Sequence, residues 1–279
     1  MLEIEQYIQS TDGTTLFFRM WKPTTLPKAT ICLVHGLGEH SARYEHWAKM
    51  FNNLNIAFCA IDYRGHGRAG GKRGHAWSYA KLYEDIDCLF SEAESHLPNV
   101  PIILYGHSLG GNIAFNYFLD KKPKLAGMII TSPWMKLTFP PSKLSLTFGN
   151  IFRLIYPGFT VQNGLNPNDI SRDTDIVKNY ISDPLVHSLI SLKLYYNAAF
   201  YGKRIISKGY CLNMPLLLMH GTSDRIAFCK SSELFVRNTG KFTTYKFWDY
   251  AFHELHNDII KQEVFDFIAN WLRTNFDID

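Results

Sequence analysis

The sequence predicts an α/β fold: a mostly parallel central sheet flanked by helices, with a mainly helical segment inserted before one of the last strands. Three observations predict it. Short β-rich runs recur in both halves of the chain, and most are continuously apolar, as strands covered on both faces are. Helical patterns separate them, and that alternation argues for parallel strands joined by crossovers. Between residues 133 and 207 the alternation stops.

Taken in order, "TLFFRMWK" reads as an outer antiparallel strand. "ATICLVHG" is a buried strand, and "YEHWAKMFNNL" after it has helical spacing. "IAFCAIDYRG" is the next strand, followed by a loop and the helix "YAKLYEDIDCLFSEAESHL". "PIILYG" leads through a glycine turn into the helix "GNIAFNYFLDKK", and "LAGMIITS" is a further strand. The segment 133–207 opens with the aromatic run "WMKLTFPPSKLSLTFGNIFRLIYPGF", which has room for two helices. A polar stretch, "NGLNPNDISRDTD", and then "SLISLKLYYNAAF" complete it. Residues 1–132 and 208–279 then form one core, and 133–207 reads as a cap over a lipid-sized pocket or a face packed on the body. "PLLLMHG" and "TTYKFWDY" are the last strands, and "DIIKQEVFDFIANWLRTNF" is the closing helix.

The 279 residues are enough for one well-buried domain with an insertion. A net charge of +4 without a dense Lys/Arg block describes a solvated surface, so no nucleic-acid partner is expected. The N-terminus "MLEIEQYIQSTDG" has acids where a signal peptide has bases, and no stretch approaches the roughly 18 apolar residues of a spanning helix. Five scattered cysteines, Cys32, Cys59, Cys88, Cys211 and Cys229, fit reduced thiols in a cytoplasmic protein. No Cys/His cluster has ligand spacing, and neither a metal nor an organic cofactor is expected.

The chemistry is concentrated at "YGHSLGG". Strand, Gly106-His107-Ser108-Leu109-Gly110, then helix is the nucleophile-elbow pattern, which holds a serine out at a turn too tight for bulky neighbours. A serine hydroxyl needs a base, and the base an orienting acid, in the chain order serine, acid, histidine. "MPLLLMHGTSDR" supplies Asp224 beyond a strand, and "TTYKFWDYAFHELH" supplies His253 before the last helix. Asp249 and His256 are rivals for these two roles, while His107 and His220 read as structural. The oxyanion donors are expected from the backbone N–H groups of Leu109, after the nucleophile, and Leu37, in "CLVHGLGEH".

"HGLGEHSARY", "DYRGHG", "GHSLGG", "HGTSDR" and "FHELHND" together resemble the monoacylglycerol lipase and lysophospholipase group of serine α/β-hydrolases, from about Asp12 to Trp271. The resemblance implies the α/β-hydrolase fold, the triad Ser108, Asp224 and His253, and the oxyanion donors Leu37 and Leu109. It further implies a polar head-group pocket built from Glu39, Arg43 and His256, approached by Tyr180 of the cap. For Glu39 and Arg43 a helix-start pair that supports the loop is the competing reading. Ala69 departs from the group's usual serine in the "GHG" loop, and the cap matches weakly. The implied activity is hydrolysis of monoacylglycerol-like esters through an acyl-enzyme, with lysophospholipids or general carboxylic esters as alternatives. A catalytically silent fold that binds a small apolar ligand is the alternative of another class. An acyl-ester lipid is the expected partner, with transient membrane-surface contact through the cap.

Overall fold

The structure, a computed structural model, describes residues 1–140, 149, 151–208 and 212–276. Its strands are β1 (Leu2–Gln9), β2 (Thr15–Lys22), β3 (Ala29–Val34), β4 (Ile56–Asp62), β5 (Ile102–His107), β6 (Gly127–Thr131), β7 (Thr160–Gln162), β8 (Leu189–Ser191), β9 (Leu216–Gly221) and β10 (Thr243–Trp248). Its longer helices are α1 (Glu45–Asn53), α2 (Tyr79–His96), α3 (Leu109–Lys121), α4 (Thr174–Ser182), α5 (Leu192–Ile206), α6 (Cys229–Val236) and α7 (Lys261–Phe276). Residues 151–155 are also helical.

Eight strands form one sheet in the order β1-β2-β4-β3-β5-β6-β9-β10. The pairs from β4 to β10 are parallel, while β1–β2 and β2–β4 are antiparallel. Alternation sorts each central strand between two cores. Cys32 and Val34 of β3 face a core shared with α2 and α3, whereas Ile31 and Leu33 face one shared with α1 and α7. β5 divides likewise, Leu104 to the first and Ile103 with Tyr105 to the second. Covering both faces is what makes these runs apolar at every position, each buried aliphatic contributing about 1.5–3 kcal/mol.

Local signals set several boundaries. Ser78 caps α2, its Oγ accepting from the Lys81 amide at 3.3 Å. Asp173 caps α4, and Ser191 caps α5 through the Leu194 amide at 3.1 Å.

The expected outer position of "TLFFRMWK" is corrected: β2 is antiparallel but internal, and β1 forms the edge on that side, with β10 at the other. β1 carries the run LEIEQYIQ, which is mostly exposed, and charged residues suit an unpaired sheet edge. Sequence periodicity also passed over α6 and the three-residue β7–β8 ribbon, both too short to establish a period. Between β6 and β9 lie β7, α4, β8 and α5. The part of the aromatic run at 141–148 and 150 lies outside the described residues, as does Cys211. Cys32, Cys59 and Cys229 are buried free thiols, and Cys88 is half-buried. Among the described residues, no helix is long and apolar enough to cross a membrane.

Candidate active site

The loops at the carboxyl ends of β3, β5, β6, β9 and β10 converge, the usual place for a site in a parallel sheet. β5 ends at His107 and α3 begins at Leu109, so Ser108 alone makes the turn. It does so at φ 53° and ψ −117°, a conformation L-residues rarely adopt. Hydrogen bonds on both sides hold it: its amide donates to the Thr131 carbonyl at 3.0 Å, and its carbonyl accepts from the amides of Asn112 and Trp134. The flanking glycines are sterically required. A methyl group on Gly110 would stand 2.0 Å from the Val34 carbonyl oxygen, and one on Gly106 would stand 2.6 Å from the Gly111 Cα.

Asp224 and His253 reach this serine from the two neighbouring strands β9 and β10. His253 Nε2 lies 2.9 Å from Ser108 Oγ, and its Nδ1 lies 2.7 Å from Asp224 Oδ2. Asp224 Oδ1 accepts from the amides of Ile226 and Ala227 at 2.8 and 3.0 Å. The base loop is pinned where Ser132 Oγ donates to the His253 carbonyl at 2.7 Å. The rival Asp249 is exposed beyond β10, away from this arrangement.

Burial disfavours the charged imidazole of His253, but the charge and hydrogen bond of Asp224, then Glu254 and Glu39, outweigh it and hold His253 above its ordinary value. Burial likewise opposes the Asp224 carboxylate. The charge of His253 and the hydrogen bonds from His220 and His253 prevail, and its carboxyl sits well below the usual range. The pair is therefore set up to exchange a proton between Ser108 and His253 while Asp224 stays ionised.

Leu109 opens α3, so its amide has no intrahelical acceptor. Leu37 and Gly36 line the same cavity as Ser108. Glu39 braces that loop, its Oε1 accepting from the Gly36 amide at 2.6 Å and from Tyr44 Oη at 3.0 Å. Arg43 then joins two loops, donating to Glu39 Oε2 at 2.8 Å and gripping both oxygens of Glu254 at 2.8 and 2.7 Å. Its guanidinium lies 4.8 Å from the Tyr180 ring centroid. From the segment between β6 and β9, the His187 amide donates to the Gly38 carbonyl and Asp183 meets His40 at 2.8 Å.

The cavity measures about 310 Å³, at the small end for a ligand site. Ser108, His253, Glu39, Glu254, Leu37 and Tyr180 line it, and the remaining wall is mostly apolar, including Trp134, Leu165, Ile170, Ile190 and Ile226. Two residues of the expected head-group pocket are absent from that wall. Arg43 is buried behind Glu39 and Glu254. His256 is turned inward by the short turn Leu255–Asn257 and is fully buried, stacked 4.4 Å from the Tyr44 ring and edge-on to His107. Glu254 takes a position there that sequence reasoning missed; its one visible signal was a charge directly beside the expected base. Among the described residues, no group of three His, Cys, Asp or Glu is arranged to hold a metal ion.

The family model described as serine aminopeptidase, S33, matches residues 25–260. An uncharacterised abhydrolase domain-containing protein of Dictyostelium discoideum is 38% identical over 267 residues, and the chain spans 28% of that protein's length. The monoacylglycerol lipase of Mycolicibacterium smegmatis is 30% identical over 262 residues, covering 93% of both chains. The crystal structure of the Paleococcus ferrophilus monoacylglycerol lipase superposes with a TM-score of 0.84 at 31% identity, covering 93% of this chain and 99% of that one.

Two outcomes follow from this geometry. Gly110→Ala should lower ester hydrolysis by about a hundredfold, because the elbow must shift off Val34 and misplace Ser108; assays on variant protein with a wild-type circular dichroism spectrum check it. A base at His253 needs the unprotonated ring, and His253 is held above the ordinary histidine value, so kcat/KM should fall as the pH drops through a point above that value. A kcat/KM profile across the neutral range locates that limb.

Proposed function

The chain belongs to the serine aminopeptidase S33 family and to the monoacylglycerol lipase group of serine α/β-hydrolases, and from that premise we propose that it cleaves monoacylglycerol-like esters to fatty acid and glycerol. In this reading Ser108 Oγ attacks the ester carbonyl carbon as His253 Nε2 takes its proton. The amides of Leu37 and Leu109 receive the oxyanion, and Asp224 stabilises the imidazolium. The C–O bond breaks, the alcohol leaves with the proton from His253, and the acyl group remains on Ser108. Water, deprotonated by His253, then releases the acid by the same route. The acyl chain lies along the apolar wall, under residues 133–207 acting as a cap.

The observation that carries the substrate assignment is the polar end of the cavity. Its charged wall, among the described residues, consists of the carboxylates Glu39 and Glu254, next to the base and the oxyanion loop. The buried cation that could meet a phosphate, Arg43, is already held by both carboxylates. Such a wall suits a neutral polyol and offers no cation to the phosphate of a lysolipid head group. Each of these carboxylates already accepts three hydrogen bonds and shares the charge of Arg43, which leaves room for a hydroxyl but weakens the pull on a peptide's ammonium group.

Contact with a membrane surface is part of the same proposal. Leu154, Ile155 and Tyr156 are 74%, 77% and 56% exposed, and Phe139 and Val161 are exposed while also lining the cavity. An exposed apolar group at a lipid-accepting mouth suits dipping into an interface.

Hydrolysis of a monoacylglycerol and a lysophosphatidylcholine with the same acyl chain tests the substrate. The monoacylglycerol should turn over at least about tenfold faster, and Ser108→Ala should remove turnover of both; preference for the lysolipid would overturn the substrate reading. Sedimentation with phosphatidylcholine vesicles tests the surface: Leu154→Ser with Ile155→Ser should weaken binding roughly tenfold or more.

A further inference from the structure

The reaction described above makes no use of His220. This residue lies in β9, and its side chain is fully buried. Its Nε2 lies 2.9 Å from Asp224 Oδ2 and 3.2 Å from the Ala227 carbonyl oxygen, while its Nδ1 lies 2.8 Å from Ser232 Oγ. Two acceptors face Nε2, so the ring hydrogen belongs there. The Asp224 oxygen that receives it is the one that also receives His253 Nδ1–H at 2.7 Å. One carboxylate oxygen thus serves two imidazoles, while the other is occupied by two backbone amides.

We propose that His220 is a positioning residue for the reaction: its Nε2–H holds the Asp224 carboxylate toward His253 and draws off part of the charge that would otherwise stabilise the His253 imidazolium. The proposal rests on the hydrolase reading above. Each N–H donated to a carboxylate is a charge-assisted bond and lowers the carboxylate's affinity for a further proton. An oxygen bonded to two rings is accordingly a weaker partner for either one. His253 is then held high enough to accept the serine proton and low enough to return it to the leaving alcohol. Ser232, on α6, fixes the ring from its far side, so α6 as well as β9 sets the orientation of the acid.

The other groups that act on His253 come from several elements. His107 on β5 lies 4.9 Å away between ring centroids, and His256 meets it edge-on from behind. Glu39 and Arg43 follow β3, and Glu254 is the next residue along the chain. Around Asp224 itself stand His220, His253, the Cys229 thiol and Arg225, which reaches outward to Asp169. His220 is the side chain that bonds Asp224 without taking part in proton transfer.

The experiment compares kcat/KM against pH for a soluble short-chain ester in wild type, His220→Gln, His220→Leu and Ser232→Ala, each checked for a native circular dichroism spectrum and for labelling of Ser108 by a fluorophosphonate. His220→Leu should raise the acidic limb by about 0.5–1 pH unit and lower kcat/KM at the optimum about tenfold. His220→Gln, which keeps an N–H donor, should restore most of both. Ser232→Ala should move the limb a smaller distance in the same direction, and it decides the matter if neither His220 variant folds. A merely structural role would lower activity and leave the limb in place; that outcome in a folded variant, or a Gln variant no better than Leu, overturns the proposal. A wild-type protein that never labels at Ser108 overturns the hydrolase reading itself, a separable result.

Discussion

A buried carboxylate sets the conditions that the surrounding structure must satisfy. The side chain of Asp224 is removed from water, and an ion in that position loses hydration worth several kcal/mol unless donors replace it. Two come from its own turn, the amides of Ile226 and Ala227; one comes from His220 on β9, the strand before that turn; the last comes from His253 beyond β10. The last of these is available because β9 and β10 are parallel neighbours in register, Gly221 opposite Trp248. The loops leaving them are stitched together, Thr222 N–H to the Trp248 carbonyl and Ser223 N–H to that of Ala251. The ion is tolerated because the sheet brings its partners to it.

The rest of the site follows from strand order. Reading β3, β5, β6, β9 and β10 across the sheet gives, at successive carboxyl ends, the Leu37 loop, Ser108, the Ser132 brace, Asp224 and His253, the groups to which the proposed reaction gives its roles. Parallel strands place all these ends on one side, where loops can be aimed by rigid neighbours. The elbow depends on this closeness. Gly110 packs against the Val34 and His35 carbonyls at the end of β3, so the Ser108 turn and the Leu37 loop share one contact. Strain at Ser108 is stored in a turn whose amide and carbonyl are both bonded to fixed chain.

What the sequence made legible was whatever repeats or punctuates. Seven β-rich runs, four of them ending at glycine, located seven of the eight main strands, and in the central ones both-face burial leaves a mark at every position. β1 left no such mark, because its run LEIEQYIQ alternates with charged and amide side chains that are mostly exposed and answer to solvent. Ser108, Asp224 and His253 were readable from order along the chain, and the structure brings them within hydrogen-bonding distance. The polar end of the cavity was less readable. Arg43 and His256 are side chains whose direction depends on a short turn each, and both point away from the cavity. Glu254 points into it, a consequence of its bond to Arg43, a residue 211 positions away.

Three histidines show why such directions decide chemistry. His107, His253 and His256 are buried alike, and His107 lies 4.9 Å by ring centroid from each of the other two. Burial alone lowers the basicity of any imidazole, and it pushes His107 and His256 well below the ordinary value. His253 escapes because a carboxylate oxygen stands 2.7 Å from its Nδ1. His107 has a threonine hydroxyl at 3.1 Å in that place, and His256 faces aromatic rings. The rival His256 lies three positions beyond His253, and nothing in composition tells them apart. The distinction arises where β10 delivers the first beside Asp224 and the next turn carries the second into the core. What fits His253 for the base's part in the proposed reaction is thus its backbone position, which brings its ring to the Asp224 carboxylate.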